Sequence, residues 1–307
     1  MLVSVVVPVF RSVETLRSLH ARIASAFAGM KREFELILVE DAGGDGSWEI
    51  IAALSQEDAR VQGIQLSRNS GQHNALLCGI RQARGEVIVT LDDDLQNPPE
   101  EISKLLAKLE EGFDMVYGTP QSETHGYLRD QASRITKWVL QGPMGAETAA
   151  KVSAFRAFRT CVSGAFRDFH GPSVNIDVLL TWGARSFTSV VVRQDKRTCG
   201  RSGYTARRLI CHALNMITGF STLPLRIASV LGFVFALFGL FVLAYVGASR
   251  LLHGRPVPGF TFLASALAIF SGVQLFALGI IGECLARMYV RSMDRPAYVV
   301  RSRTSSQ

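Results

Sequence analysis

Short apolar runs alternate with helical patterns through the first part of the chain. Val3–Val9 is valine-rich and almost continuously apolar, as in a strand buried on both faces. Phe34–Val39, Ile64–Leu66, Val87–Leu91 and Met115–Tyr117 predict four further strands. Between them the period turns helical. Ser12 is placed to cap a first helix and Ser47 a second. Asn74–Arg84 reads as a third helix, ended by Gly85. Pro98-Pro99, followed by Glu100-Glu101, opens a fourth. Strands alternating with helices predict an α/β domain, a mostly parallel sheet with helices on both faces. Ligands of such sheets bind beyond the carboxyl ends of the strands, where Asp41 and Asp92-Asp93-Asp94 both fall.

From Gly126 to Thr198 the pattern is less regular. Helices are expected over Tyr127–Leu140 and Ile176–Gly183, and strands over Ser153–Phe158 and Ser189–Arg193. Tyr204–Phe220 reads as an amphipathic helix with Arg207 and Arg208 on its polar side, suited to a bilayer surface. Ile227–Ser249 and Phe260–Ile281 reach membrane-spanning length, roughly 20 apolar residues. The short link Arg250–Pro258, with Pro256 and Pro258, makes them a hairpin. Arg207, Arg208 and Arg226 precede it and Arg287, Arg291, Arg295, Arg301 and Arg303 follow, whereas the link holds only Arg250 and Arg255. The positive-inside rule then places the main domain in the cytoplasm of a multi-pass inner-membrane protein. The expected divisions are a main domain over 1–203, a juxtamembrane segment over 204–225, a hairpin over 226–285 and a cytoplasmic tail over 286–307, disordered from Arg301.

A length of 307 residues fits one large domain plus such an appendage. The net charge of +7 would suit nucleic acid, an anionic membrane or a phosphorylated substrate. The arginines flank the apolar segments and no aromatics interleave with them, so the charge favours membrane and disfavours nucleic acid. The five cysteines are scattered, which argues against a disulfide framework or a zinc site. Leu2–Phe10 is too short, and too poor in basic flanks, for a signal peptide.

Three consecutive aspartates at a strand end repel one another and raise each other's pKa values. A divalent cation relieves the conflict. Mg²⁺ or Mn²⁺ takes oxygen ligands and commonly joins one or two carboxylates to substrate phosphates. In extended chain Asp92 and Asp94 face one side and Asp93 the other. Gln96 continues the alternation and adds a carbonyl oxygen.

The chain resembles family 2 glycosyltransferases of the polyprenyl-phosphate sugar synthase type. The resemblance rests on Val5–Phe10 with Glu14, Val39-Glu40-Asp41 with Asp45-Gly46-Ser47, and Ser67-Arg68-Asn69 with Gly71-Gln72 and Ala75-Leu76. It continues through Leu91–Glu100, Ser153–Arg156, Arg197 with Gly200, Ser202 and Tyr204, and Ile281-Gly282-Glu283. It implies a glycosyltransferase-A domain and a nucleotide sugar donor, a UDP-hexose by expectation. The implied acceptor is a polyprenyl phosphate, undecaprenyl phosphate by expectation, and the implied assembly a homo-oligomer. Pro8, Phe10, Glu14, Asp41, Arg68 and Asp93 match nucleotide-sugar-binding positions. Asp92, Asp94 and Gln96 match the metal and diphosphate site. Arg129, Ser133, Arg197, Arg201 and Ser202 are the phosphate-binding candidates, arginine suiting that role through paired hydrogen bonds. Asp92, Asp94 and Arg197 are the catalytic candidates, joined by Asp177. Many relatives carry an acidic residue where this chain has Ala154, and Asp177 is either the local substitute for that base or an ordinary helix-start residue. A phosphate monoester is anionic near neutral pH, so a strong base is not required, and a single displacement would invert the anomeric carbon. A processive polysaccharide synthase would carry a Q-x-x-R-W signature, which is absent. A non-catalytic nucleotide-sugar-binding scaffold would have lost the acidic ligands, which are present.

Overall fold

The computed structural model describes residues 1–120, 152–171, 174–195, 223–253, 259–293 and 295–304. The chain forms two compact units, Met1–Leu209 with Asp294–Gln307, and Ile210–Met293. The first unit opens with β1 (Val3–Val9), α1 (Leu16–Met30), β2 (Phe34–Glu40), α2 (Ser47–Glu57), β3 (Val61–Leu66), α3 (Gln72–Gln82) and β4 (Val87–Thr90). A 3-10 turn, Pro99–Glu101, leads into α4 (Ile102–Glu110), then β5 (Met115–Pro120), β6 (Arg156–Arg159), α5 (Thr160–Ser163), α6 (Ile176–Gly183) and β7 (Phe187–Val192). β8 (Val300–Arg303) comes from the far end of the chain.

Among the described residues the strands form one eight-stranded sheet, in the order β7-β5-β6-β4-β1-β2-β3-β8. β1 pairs in parallel with β2 and β4, and β2 with β3. β6 runs antiparallel between β4 and β5, and β7 is parallel to β5. The period of two explains why β1 reads as a continuous apolar run. Val3, Val5, Val7 and Val9 pack on one face with Leu19, Ile23 and Leu105. Val6 packs on the other with Ile37, Leu76, Ile80 and Leu179. Both faces are covered, so both sets of positions are apolar.

Local patterns misplaced two caps. α1 begins at Leu16 behind Thr15, which makes no side-chain cap bond. Ser47 lies inside the first turn of α2, and its hydroxyl donates to Asp45 Oδ2 at 2.8 Å. The Ser47 hydroxyl also accepts the Ser12 N–H at 3.2 Å, and the Ser12 hydroxyl donates to Asp93.

The tail corrects a second expectation. Arg301–Thr304 is not disordered, since β8 pairs antiparallel with β3. Ser67 N–H donates to Val299 O at 2.8 Å and Thr304 N–H to Gly63 O at 3.0 Å. Gly63 N–H donates back to the Thr304 hydroxyl at 2.8 Å. Tyr298 lies under the Arg81 guanidinium, 5.6 Å from ring centroid to Cζ. A strand of four residues flanked by charge has no recognisable period alone, and its partner edge lies more than 230 positions earlier.

The second unit contains α7 (Leu223–His253) and α8 (Phe260–Ser292). The Phe235 and Phe270 rings meet edge to face at 6.2 Å, and a Cβ on Gly239 would stand 3.0 Å from Phe270 Cζ. Among the described residues one stretch, Ile269–Ala286, is long and apolar enough to cross a membrane, with mean hydropathy 1.8. Ala228–Val242 in α7 is a shorter apolar stretch.

Candidate active site

β1 is flanked by β2 on one side and β4 on the other, so the chain reverses its direction of travel across the sheet there. A crevice opens beyond the carboxyl ends at such a switch point. Here it is a cleft of 270 Å³ lined by Pro8, Val9, Phe10, Asp41, Asn69, Gly71, Gln72 and all three aspartates of the acidic run.

β4 ends at Thr90, so the aspartates sit on a turn rather than on extended chain. That turn passes through Leu95 at φ 58°. Each aspartate has its own partner. Asp92 Oδ1 accepts from the Gln72 amide at 2.7 Å. Asp94 Oδ1 accepts the Gln96 N–H at 3.1 Å. Asp93 Oδ2 accepts the Phe10 N–H at 3.0 Å and the Ser12 hydroxyl. Burial holds the Asp93 carboxyl above its usual range; the bonds from Ser12 and Phe10 pull it back, and the Asp94 charge pushes it further up. Asp93 was expected to face the nucleotide. It lines the cleft, and one of its oxygens also joins the acidic turn to the loop after β1.

Asp41 also has a structural task. Its two oxygens accept the Ser70 and Gly71 N–H groups at 2.6 and 2.8 Å. These bonds fix the turn into α3, where Gly71 takes φ +92° without the cost of a Cβ. Burial raises the Asp41 carboxyl, the two N–H bonds oppose the rise, and Glu40 adds to it.

Asp177 carried two readings from sequence, a substitute base or a helix-start residue. It is buried, and its Oδ1 accepts from the Arg156 guanidinium and from the Tyr117 hydroxyl at 3.4 Å. Arg156 is 2% exposed and also donates from Nε to the Thr90 hydroxyl at 3.0 Å. Asp177 is absent from the cleft lining. Asp177 stands in the first turn of α6, as its reading as a helix-start residue has it, and its carboxylate is paired with a buried guanidinium. Burial and the Asp177 charge together push the Tyr117 hydroxyl well above its usual value.

The other expected residues divide. Pro8 and Phe10 line the cleft, Phe10 at 44% exposure. Glu14 and Arg68 are exposed and stand outside the lining, as does Gln96. Arg129, Ser133, Arg197, Arg201 and Ser202 lie outside the described residues. Ser12 and Gln72 bond the acidic run and were not assigned site roles from sequence, Ser12 having been read as a cap. A cap pattern spans a few residues, whereas Ser12 meets Asp93 across 81 positions.

Among the described residues no group of three or more His, Cys, Asp or Glu side chains is arranged to enclose a metal. Asp92 and Asp94 both line the cleft, and two carboxylates nevertheless suit a cation that completes its shell with water and phosphate oxygens.

The model of Glycosyl transferase family 2 matches residues 4–165. Undecaprenyl-phosphate 4-deoxy-4-formamido-L-arabinose transferase of Shewanella sediminis (strain HAW-EB3) is 37% identical over 302 residues, covering 97% of this chain and 91% of that protein. Its namesake in Serratia proteamaculans (strain 568) is 36% identical over 309 residues, covering 99% and 94%. Glucosyl-3-phosphoglycerate synthase from Mycobacterium tuberculosis, solved with Mn²⁺, uridine diphosphate and phosphoglyceric acid, superposes with TM-score 0.52 at 16% identity. That superposition covers 70% of this chain and 76% of that one, a likeness of fold alone. The α/β unit thus has a glycosyltransferase-A-like fold with a mostly parallel sheet, and the chain belongs to glycosyl transferase family 2, among the transferases that make polyprenyl-phosphate sugars.

Proposed function

We propose that the chain transfers a sugar from a UDP-sugar to undecaprenyl phosphate at the cytoplasmic face of a membrane, with inversion at the anomeric carbon. The observation that carries this reading is the aspartate-lined cleft, in a chain 37% identical over nearly its whole length to an undecaprenyl-phosphate sugar transferase. In this reading Pro8 and Phe10 receive the nucleoside, and Asp41 keeps the Ser70-Gly71 turn in place beside it. Asp92 and Asp94 hold Mg²⁺ or Mn²⁺, and Gln96 shapes their turn. When bound, the cation supplies charge to the departing diphosphate. Arg197, with Arg129, Ser133, Arg201 and Ser202, is assigned to phosphate on the family resemblance. The acceptor phosphate is already anionic near neutral pH, so the burial of Asp177 presents no obstacle.

α7 and α8 are read as a transmembrane hairpin, with residues 1–203 as the catalytic domain. The support is their exposed large apolar side chains, among them Phe233, Phe241, Leu267 and Leu275, each more than half exposed. Soluble surfaces rarely carry apolar patches of this extent. A hexose was the expectation from sequence, whereas the relatives' names specify 4-deoxy-4-formamido-L-arabinose. Full-length protein in lipid nanodiscs with undecaprenyl phosphate and Mn²⁺ tests both donors, as UDP-glucose and as UDP-linked 4-deoxy-4-formamido-L-arabinose. A lipid-linked sugar seen by mass spectrometry is the expected result. Donor turnover that ignores the lipid, or no turnover across a panel of nucleotide sugars, removes the proposal.

A further inference from the structure

Three distant chain segments meet at the residues that follow the acidic run. Leu95 holds φ 58°, a left-handed conformation that crowds the Cβ of a non-glycine residue. Its side chain is 7% exposed, within the core. The turn is fastened on both sides of Leu95, since Asp94 Oδ1 accepts the Gln96 N–H and Gln96 O accepts the Asp195 N–H at 2.9 Å. Asp195 pairs with Arg193 at 3.1 Å and lies 3.8 Å from the Arg22 guanidinium. Arg22 donates to both oxygens of Glu100, at 2.9 and 2.7 Å. The Arg193 N–H donates to Glu101 at 3.2 Å. A favourable charge in a first helical turn accounts for the sign of Glu100 and Glu101, but not for these partners.

We infer that Arg22 is the hub of a positioning clamp, with Glu100 and Asp195 as its arms, that keeps the Asp94–Gln96 turn in the shape that receives the cation. The inference rests on the reading of Asp92 and Asp94 as metal ligands. An isolated exposed ion pair contributes little. Here a two-oxygen guanidinium fork joins α1 to Glu100, in the turn that follows the acidic run, and a backbone bond joins Gln96 to the exit of β7.

The test is Mn²⁺ binding to full-length protein in detergent with UDP present, read from the paramagnetic resonance signal of free Mn²⁺. Arg22→Met removes a positive charge, so through-space electrostatics alone would tighten Mn²⁺ binding. Loss of positioning weakens it. The expected result is a Kd raised about five-fold, with Arg22→Lys in between, because an ammonium cannot form the fork. The melting temperature should stay within about 3 °C. If Arg22→Met does not fold, Arg22→Gln is the second variant, with the same expected direction. Unchanged or tighter Mn²⁺ binding in a folded Arg22 variant, with binding lost in Asp94→Ala, overturns the clamp. Wild-type binding in Asp94→Ala overturns the metal reading instead, and the clamp with it.

Discussion

The carboxylate of Asp93 accepts the backbone N–H of Phe10 at 3.0 Å. The middle residue of the acidic run and the aromatic side chain at the mouth of the cleft are therefore one mechanical unit. The Ser12 hydroxyl adds a second bond to the same oxygen. Asp93→Ala unfastens the loop that carries Phe10 while leaving Asp92 and Asp94 in place. Donor KM should rise about ten-fold, the scale of a lost charge-assisted hydrogen bond, with kcat changing less. Steady-state kinetics with varied donor checks this. A fall in kcat at constant KM would instead assign Asp93 to the chemical step.

Asp94→Ala should behave differently. The variant should lose at least about 100-fold in kcat, the scale seen when one transition-state charge stabiliser is removed, and should keep its circular dichroism spectrum. Chelation of wild-type protein should reproduce the loss, and Mn²⁺ or Mg²⁺ should reverse it. Full activity after chelation would refute the assignment of a cation to Asp92 and Asp94.

Asp177→Ala separates positioning from proton transfer. It leaves the Arg156 guanidinium, 2% exposed, without its carboxylate. Breaking such a buried pair costs about 3–5 kcal/mol, so thermal denaturation should shift far downward. The kcat per folded molecule should fall less than about ten-fold, below the usual contribution of a general base. A large loss of kcat at unchanged melting temperature would assign Asp177 to the base role.

Ending the chain after Val299 removes β8 and Thr304. It cancels the pairing with β3 and both bonds to Gly63, and leaves the β3 edge open. The expected cost is about 2–4 kcal/mol, a lowering of the melting temperature by about 5–10 °C. An unchanged melting temperature would show that the tail adds nothing to the sheet.

Glu35 gives an acid-side prediction. It is buried, accepting the Ser4 hydroxyl at 2.6 Å, the Arg84 N–H at 2.6 Å and Arg84 Nε at 2.9 Å. Burial alone would raise its carboxyl, but the Ser4 and Arg84 bonds prevail and hold it below its ordinary 4.5. A lowered folded-state value contributes stability that is present above the ordinary value and is lost as pH falls through the lowered one. Glu35→Gln should therefore be less stable than wild type by about 1–3 kcal/mol at pH 7, and the gap should close on acidification below 4.5. Urea denaturation at several pH values measures it, and a gap that widens in acid would contradict the account.

Sequence alone determined the features that repeat within one element. The strand period of β1 and β2, the bounds of α6 at Ile176–Gly183 and the apolar character of α7 and α8 follow from spacing and burial, which neighbouring residues encode together. The sequence also put Asp41 and the acidic run at strand ends, because each follows directly on an apolar run. Pairings across the chain were decided only in three dimensions. Ser12, expected as a cap, bonds Asp93. Asp177, read from sequence either as a base or as a helix-start residue, is paired with Arg156. The tail, expected to be disordered, completes the sheet through β3. Hydrogen bonds and ion pairs depend on which groups the fold brings within about 3 Å, and separation along the chain carries no trace of that distance.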